Sequence, residues 1–460
     1  MTRPLIGRRV VVIGGGLAGL TAALDCADMG GQVTLLERRS RLGGLTWSFE
    51  HDGLTMDNGQ HVYLACCQAY RGFLDRIGAS GDVEPARPLD IPVVAPGPGR
   101  PVVGRLRRRR LPVPLHLAGS LMSYRHLGRS DRLGLGRALA GLYRLRLDDP
   151  RLDDITFGQW LAEHGQSPAA VSAVWDLITV PTVNLPAAEA SLASAAKVFK
   201  TGVLGAPGAA DMGWSRVPLG RLHGERAAVA LSRSGVTVRT GEKVETVRQD
   251  AAGWTVGTRS GSIDTDAVVM AVAHEEATEL VPPGSVGNQS RWPDLGSSAV
   301  VDVHLVFDRQ VTSWPVMAGH RSDIQWVFDR TDPSGLSDRQ PGAQYLAVSL
   351  SAADHLISER PQDLITSTVG ALAALLPEVP SARLISSLVT KERRATFRAA
   401  PGTAGARPAP ETNLPGLVLA GAWTDTGWPA TMEGAVLSGR AAARILSSNI
   451  PLRRSTQEVA

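Results

Sequence analysis

The chain has 460 residues, of which 43% are hydrophobic, and its formal net charge is +4 at pH 7. This length suffices for two domains or for one domain with a large insertion, and no window comes close to the roughly 18 consecutive apolar residues that a membrane-spanning helix requires. Three cysteines, Cys26, Cys66 and Cys67, do not make a disulfide framework, which favours a cytoplasmic protein.

The first predicted elements form a strand–helix–strand unit over residues 8–37. RRVVVI predicts a buried strand, LAGLTAALDCADMG has apolar residues at helical spacing, and QVTLLE predicts a second strand. Between the first strand and the helix stands Gly14-x-Gly16-x-x-Gly19, and Glu37 ends the second strand. These glycines permit a tight turn, close approach of the backbone to a pyrophosphate and packing of helix on strand, and a carboxylate about 20 residues on can bind ribose hydroxyls. We therefore predict a dinucleotide site.

The segment MDNGQHVYLACC, residues 56–67, combines acid, amide, imidazole and thiol side chains. We predict a strand over 56–64, whose alternation would place Asp57, Gly59, His61 and Tyr63 on one face. A metal site is not expected, because the spacing is not that of C-x-x-C or H-x-x-x-H and adjacent cysteines cannot both point at one tetrahedral ion. A cysteine nucleophile is not expected either, since free cysteine is usually a small buried hydrophobe.

Residues 105–230 have a mainly helical pattern that begins with a basic run, GRLRRRRLP. Two interpretations of residues 105–127 stay open. The favoured one is a solvated loop followed by an ordinary helix, and the other is peripheral contact with anionic lipid on the inner face of the cell membrane. Nucleic-acid binding is not expected, because no aromatic residues are interleaved with these arginines. Trp160, Trp175 and Trp214 either line an apolar tunnel or fill core, with core favoured.

Later segments complete a two-domain organisation. GVTVRTGEKVETVRQDAAGWTVGTRSGSIDTDAVVMAVA predicts three or four strands, LPGLVLAGAW predicts a buried strand, and SAVVDVHLVF, IQWVF and QYLAVSL predict strands in between. The fold class is therefore α/β, a Rossmann-like nucleotide-binding domain assembled from discontinuous segments with an inserted α+β substrate-binding domain. The predicted bounds are 1–90, 215–295 and 398–446 for the first domain, 91–214 and 296–397 for the second, and 447–460 for a flexible tail.

Two further motifs carry a family resemblance. ERRSRLGG adds Arg41, Gly43 and Gly44 after the ribose-binding acid, and LAGAWTDTGWPATMEGAVLSGRAAARIL follows a strand near the end. Both resemble motifs of the flavin oxidoreductases that include amine oxidases, protoporphyrinogen oxidase and carotenoid desaturases, which implies FAD as cofactor. Fingerprints and resemblance together imply the cofactor-binding residues Gly14, Gly16, Leu17, Ala18, Gly19, Glu37, Arg38, Arg41, Gly43, Gly44, Leu45, Gly59, Gln60, Val244, Gly421, Ala422, Met432, Glu433 and Ala435.

One position departs from that family pattern. Where the family has Ala-Gly-Asp or Ala-Gly-Glu, this chain has Ala420-Gly421-Ala422. In the family this acid helps to hold the ribityl–pyrophosphate region. Three explanations stay open: a neighbour such as Asp425 takes over, a water does, or cofactor affinity is reduced.

Four longer blocks carry a narrower resemblance, to the hydroxysqualene dehydroxylases. They are MDNGQHVYLACCQAYRGFLDRIG, GSSAVVDVHLVFDRQV, TKERRATFRAAPG and AGAWTDTGWPATMEGAVLSG. The resemblance implies that reduced FAD, recharged by an electron donor that the sequence does not identify, converts the polyisoprenoid alcohol hydroxysqualene to squalene. Such chemistry needs a proton donor for the departing hydroxyl. Asp57, His61 and Tyr63 are the candidate catalytic residues, with Asp57 and His61 either donating the proton or only positioning the cofactor.

Three rival functions remain in view. A polyisoprenoid desaturase shares the fold and an apolar substrate. A flavin amine oxidase commonly uses a lysine-held water near the flavin, but this chain has only four lysines, Lys197, Lys200, Lys243 and Lys391, and none stands in an obvious flavin-facing motif. A non-enzymatic flavin-binding scaffold is the third, because Ala422 lacks the family's acid.

Overall fold

A five-stranded parallel sheet is formed by strands from widely separated parts of the chain. The computed structural model describes residues 5–251 and 253–449. In spatial order the strands are β19 (Leu417–Leu419), β13 (Ala267–Met270), β1 (Arg9–Ile13), β2 (Gln32–Glu37) and β9 (Thr237–Thr240). Runs such as RVVVI and AVVM form the central strands because β-branched and other apolar side chains can be buried on both faces of a parallel sheet. Helices α1 (Leu17–Asp28) and α13 (Met432–Asn449) pack against each other on one face.

A second, seven-stranded sheet is built from the two insertions. In spatial order its strands are β18 (Leu384–Thr396), β14 (Ser298–Phe307), β17 (Gln344–Ser351), β16 (Trp326–Asp329), β15 (Val316–Gly319), β6 (Asp90–Ala95) and β7 (Val102–Arg107). Neighbouring strands are antiparallel except β15 and β6, which are parallel. Helix α12 (Pro361–Leu375) packs against one face and buries Leu364, Leu372 and Leu375.

The remaining strands form smaller sheets. They are the hairpin β3 (Ser48–His51) and β4 (Leu54–Asp57), the pair β5 (Val62–Leu64) and β8 (Met212–Trp214), and the antiparallel β10 (Val244–Asp250), β11 (Gly253–Thr258) and β12 (Gly261–Thr265).

The remaining helices lie mostly in the first insertion. They are α2 (Gln68–Arg76), α3 (Ala118–Met122), α4 (Arg129–Arg144), α5 (Phe157–Glu163), α6 (Pro168–Ala170), α7 (Asp176–Val183), α8 (Leu192–Val198), α9 (Arg226–Arg233), α10 (His274–Leu280) and α11 (Leu336–Arg339). Three π-helical turns, Val171–Trp175, Phe199–Val203 and Gly220–Glu225, interrupt or extend them. Turns of this kind are frequent at functional sites.

The predicted fold class is confirmed. Strands from three separated stretches make the parallel sheet, and the inserted stretches make a mixed α+β unit. The proposed domain bounds stay a prediction. Helix α13 continues to Asn449, so residues 447–449 are helical and not part of a flexible tail; the rest of that predicted tail, 450–460, lies outside the described residues.

The single strand predicted over residues 56–64 is wrong. Strand β4 ends at Asp57 and pairs with β3, whereas β5 begins at Val62 and pairs with β8 in another sheet. Residues 58–61 form the loop that joins them. Alternation along one strand therefore does not decide which way Asp57 and His61 point.

No helix in the described ranges combines the length and the apolar character that crossing a bilayer demands.

Candidate active site

One cavity of about 660 Å³ connects the nucleotide fingerprint with the helical insertion. At one end it is lined by Gly14, Gly16 and Glu37 of the β1–α1–β2 unit. At the other end it is lined by apolar side chains of the insertions: Leu89, Ile91, Leu106, Leu117, Leu121, Leu135, Leu139, Val174, Phe199, Val203, Trp326 and Phe328. The cavity thus has a polar nucleotide end and a long apolar arm.

The nucleotide end is shaped by glycines whose roles differ. Gly14 has a φ of +107°, and a Cβ there would lie 2.4 Å from the Ala271 carbonyl oxygen. A Cβ on Gly19 would lie 1.9 Å from the Gly14 carbonyl oxygen, so this glycine permits the packing of α1. A Cβ on Gly16 would meet nothing closer than the Gly44 Cα at 3.8 Å. Because Gly16 lines the cavity, that Cβ would occupy the space next to it.

The same end offers donors to an anion and an acceptor to hydroxyl groups. No side chain caps the N-terminus of α1 at Gly16, so the free N–H groups of its first turn can bind phosphate. The Glu37 carboxylate accepts from the backbone N–H groups of Gly15 at 2.7 Å and Arg39 at 2.8 Å. These bonds fix Glu37 beside the turn, where ribose hydroxyls would lie.

Most of the predicted cofactor-binding residues line this cavity. They are Gly14, Gly16, Leu17, Ala18, Glu37, Arg38, Gly43, Gly44, Leu45, Gly59, Gln60, Val244, Gly421, Ala422, Met432, Glu433 and Ala435. Their contacts with a bound cofactor stay a prediction.

Arg41 needs a correction, because it is not among the described residues that line the cavity. Its guanidinium lies 3.8 Å from the centroid of the Trp47 ring and donates to the Gly44 carbonyl oxygen at 3.2 Å. Burial lowers the pKa of Arg41 to about 10. Arg41 therefore stabilises the Gly43–Gly44 loop, while Arg39 and Lys243, which the motifs did not single out, bring positive charge to the cavity. Gly19 likewise acts in packing and not in the cavity wall.

Ala422 stands where the family has an acid, and the motif contains two carboxylates, those of Asp425 and Glu433. Asp425 is exposed and is not among the described residues that line the cavity. Glu433 lines the cavity, yet its carboxylate accepts from the backbone N–H groups of Ala69 at 3.0 Å and Tyr70 at 2.7 Å. Glu433 thus joins the start of α13 to the start of α2.

Asp57 is placed differently from the prediction that it faces the substrate space. The carboxylate is 4% exposed and forms a buried ion pair with Arg330 at 2.8 Å. It also accepts from the Ser48 hydroxyl at 2.6 Å and from the Leu219 backbone N–H at 2.8 Å. Asp57 borders a pocket of about 10 Å³ beside the main cavity and not the cavity itself. These contacts hold β4 against Arg330 and Leu219, and a catalytic role of Asp57 stays a prediction.

His61 and Tyr63 do line the cavity, and within the described ranges the His61 imidazole has no hydrogen-bond partner. Burial lowers the pKa of His61, and the nearby Asp57 opposes this, so the imidazole is neutral at pH 7. The Tyr63 hydroxyl donates to the Glu84 carbonyl oxygen at 2.9 Å, and burial raises the pKa of Tyr63. The Tyr63 hydroxyl is therefore used in a structural hydrogen bond.

Asp302 is a cavity-lining residue that the motifs did not single out. It lies on β14, is 2% exposed, and faces the loop that carries Gly59. Its Oδ1 atom has no hydrogen-bond partner in the described ranges. The one sequence signal was an acid within SAVVDVHLVF, a run predicted to be a strand, since an acid in a buried strand is rare unless it is paired or functional.

Other predicted residues are placed as follows. Trp160 is buried against Phe157 and His164, whereas Trp175 is buried and also lines the cavity. Trp214 is half-buried and borders the small pocket beside Asp57. Cys26 is core, and Cys66 and Cys67 line the cavity. Among the described residues no three His, Cys, Asp or Glu side chains are grouped as metal ligands would be.

A family model described as flavin containing amine oxidoreductase matches residues 17–447. The chain belongs to the flavin-containing amine oxidoreductases. It is therefore an FAD-dependent oxidoreductase, as the fingerprints predicted. The open space at Gly16, the uncapped start of α1 and the Glu37 carboxylate fit the diphosphate and ribose of that cofactor.

Similar proteins agree with this membership and with the resemblance seen in the motifs. The hydroxysqualene dehydroxylase of Sinorhizobium fredii is 28% identical over 466 residues, covering 96% of this chain and 99% of that protein. The zeta-carotene desaturase of Synechocystis sp. is 24% identical over 488 residues, covering 96% and 97%. Cyclohexylamine oxidase from Brevibacterium oxydans has the same fold, with a TM-score of 0.71 and 19% identity over 96% of this chain and 99% of that one.

Proposed function

We propose that this flavoenzyme reduces hydroxysqualene to squalene. The observation that carries the proposal is the single cavity that joins the nucleotide end to a leucine-rich arm. Such an arm suits a long hydrocarbon chain, whose burial is favoured by the hydrophobic effect. The similarity to hydroxysqualene dehydroxylases over nearly the full length supports this choice of substrate.

The reaction requires that the C–O bond of an allylic alcohol breaks and that a C–H bond replaces it. When bound and reduced, FAD supplies the hydride. The chain must bind the substrate, donate a proton so that the oxygen leaves as water, and exclude bulk water from the resulting cation. Apolar residues of the arm, such as Phe199 and Phe328, meet the last requirement.

A desaturase is the second candidate, supported by the similarity to carotene and phytoene desaturases. It would use the same cavity in the opposite redox direction. Amine oxidation has less support from the cavity. Among the described cavity-lining residues the one lysine is Lys243, at the nucleotide end, where the neighbouring Glu242 donates its N–H to the Glu37 carbonyl oxygen at 2.9 Å.

The test is an anaerobic incubation of the purified protein with reduced FAD and hydroxysqualene, with the products separated by mass. We expect squalene. Parallel incubations with oxidised FAD contain squalene, phytoene or a primary amine. Dehydrogenation of squalene or phytoene would favour the desaturase, and amine oxidation would favour the third candidate.

The substrate's route of entry is part of the same proposal. Residues 105–127 cover the apolar arm, with Leu117 and Leu121 lining it and Leu115 and Met122 about half exposed on the outside. Arg107, Arg109 and Arg110 are exposed on the same segment. We propose that this segment lies on the anionic inner face of the membrane, where squalene-like compounds dissolve, and admits them to the arm.

A further inference from the structure

A buried carboxyl group with an unused oxygen lies between the two ends of the cavity. Asp302 on β14 is paired in register with Ser349 on β17, and Ser349 in turn with Trp326 on β16, which belongs to the apolar arm. On its other side Asp302 faces the Gly59 loop. Its Oδ1 has no hydrogen-bond partner in the described chain. Since buried carboxylates are normally fully hydrogen bonded, this oxygen is available to a ligand.

Gly59 leaves a space between this carboxyl and an imidazole. A Cβ at position 59 would lie 3.2 Å from the Asp302 Oδ2 and 3.9 Å from the His61 Nε2. The loop is held over the sheet, because the Thr390 hydroxyl on β18 donates to the Asn58 carbonyl oxygen at 2.9 Å. The space therefore has an acid on one side and a neutral imidazole on the other, and both residues line the cavity.

We propose that protonated Asp302 is the catalytic acid of the dehydroxylation and that neutral His61 orients the substrate hydroxyl. This inference rests on the proposed function. The C–O bond breaks with its electron pair going to oxygen, the Asp302 proton completes the water molecule, and the hydride from the reductant forms the new C–H bond. Asp302 is left ionised and regains a proton from solvent before the next turnover.

The surroundings of Asp302 keep a large fraction of this carboxyl protonated at neutral pH. Burial, the largest cause, and the nearby Asp57 raise the pKa of Asp302, the Ser349 hydroxyl and the Gln60 backbone N–H lower it, and the net result is a pKa of about 7. Asp57 is itself neutralised by Arg330. The other titratable groups that face this region are His61 on the loop, His304 and Tyr345 on the sheet, and Glu392 and Arg394 on β18.

The decisive variant is Asp302→Asn, assayed as the FAD-reconstituted enzyme with two substrates of the same carbon skeleton. One carries the hydroxyl, and the other carries a chloride, which leaves without protonation. We expect squalene formation from the alcohol to fall at least about 100-fold and formation from the chloride to stay close to wild type. Equal loss with both substrates, or no loss with either, would overturn the role of Asp302 as acid.

A second readout needs no turnover. A carbonyl band of a protonated carboxylic acid that titrates near pH 7 should be present in the infrared pH-difference spectrum of the oxidised wild-type holoenzyme and absent from that of Asp302→Asn over the same pH range. Wild-type protein without such a band would contradict the proposal.

Ser349→Ala provides a variant independent of Asp302 itself. Because the Ser349 hydroxyl lowers the pKa of Asp302, its removal should move the alkaline loss of activity on the alcohol to higher pH. An unmoved pH profile would overturn the assignment.

The controls distinguish a failure of the proposed function from a failure of the role proposed for Asp302. A wild-type enzyme that shows the band but converts no hydroxysqualene overturns the proposed function and this role with it. A wild-type enzyme and an Asp302→Asn variant that convert the alcohol equally overturn the role of Asp302 alone.

Discussion

Asp57 and Arg330 form a buried ion pair where β4 ends, directly before the loop that carries Gly59 and His61. Arg330 also donates to the Ser215 carbonyl oxygen at 2.7 Å, so the pair joins β4 to the second insertion and to the segment that directly follows the first. Removing one member of such a pair leaves the other charged and unpaired in a buried site. The pair therefore holds in place the loop that contributes Gly59 and His61 to the cavity.

We expect Asp57→Ala to lower the free energy of unfolding by about 3 to 5 kcal/mol, because it leaves the buried Arg330 charge without its ion-pair partner. Urea unfolding of the apoprotein measures this. The matched control is Asp148→Ala, which breaks the Arg146–Asp148 pair on the surface and should leave the unfolding midpoint unchanged, since exposed pairs contribute little. If Asp57→Ala were as stable as wild type but inactive, the structural role assigned to Asp57 would be wrong.

Gly16 is the residue at which an added methyl group tests cofactor binding without disturbing the fold. Its Cβ would be in open space beside the cavity. Gly16→Ala should fold with an unchanged apoprotein melting temperature and bind FAD at least about tenfold more weakly, a loss of about 1.4 kcal/mol. Gly136→Ala, on the exposed face of α4 with nothing within 4 Å of its Cβ, is the control. Equal FAD affinity of Gly16→Ala and wild type in a titration would contradict the placement of the diphosphate.

The secondary-structure elements that were predicted correctly are those that residues close together in sequence specify. Strand β2 matches QVTLLE residue for residue, because apolar runs and glycine punctuation specify the β1–α1–β2 unit without reference to distant residues. The break at residues 58–61 was not predictable, because it depends on β5 pairing with β8, about 150 residues away. The role proposed for Asp302 was not predictable from the sequence for a similar reason, since only the fold brings β14 against the Gly59 loop.

For the basic segment, residues 105–127, the structure adds detail that the sequence did not predict. Residues 105–127 contain the end of β7, a turn and the five-residue helix α3, and not a long amphipathic helix. Arg108 pairs with Asp211 at 2.6 Å and is largely buried, so it stabilises the fold. Only the exposed neighbours are available to a membrane.

We expect the triple change of Arg107, Arg109 and Arg110 to Gln to weaken binding to anionic liposomes, with Arg108 left intact. Sedimentation with phosphatidylglycerol vesicles at low and high salt measures this, and the wild-type binding should fall with salt. A triple change of Arg233, Arg239 and Arg248 to Gln, also exposed, is the control. Equal loss in both variants would mean that net charge, and not this segment, attracts the protein to the vesicles.

At the scale of the whole molecule, the two ends of one cavity come from parts of the chain that are far apart in sequence. The parallel sheet supplies the nucleotide end, the insertions supply the apolar arm, and β14 with the Gly59 loop lies between them. In the proposed function, this arrangement would bring the reduced flavin, the Asp302 carboxyl and the hydrocarbon chain of the substrate together in one cavity. It supports reductive removal of a hydroxyl group from a long apolar substrate.

The most direct test is a single anaerobic turnover followed by flavin absorbance. Protein reduced with one equivalent of electron pairs is mixed with hydroxysqualene. The oxidised flavin spectrum should return, with one squalene formed for each flavin oxidised. The account is contradicted if the flavin stays reduced in the presence of hydroxysqualene while the oxidised protein is bleached by squalene or phytoene.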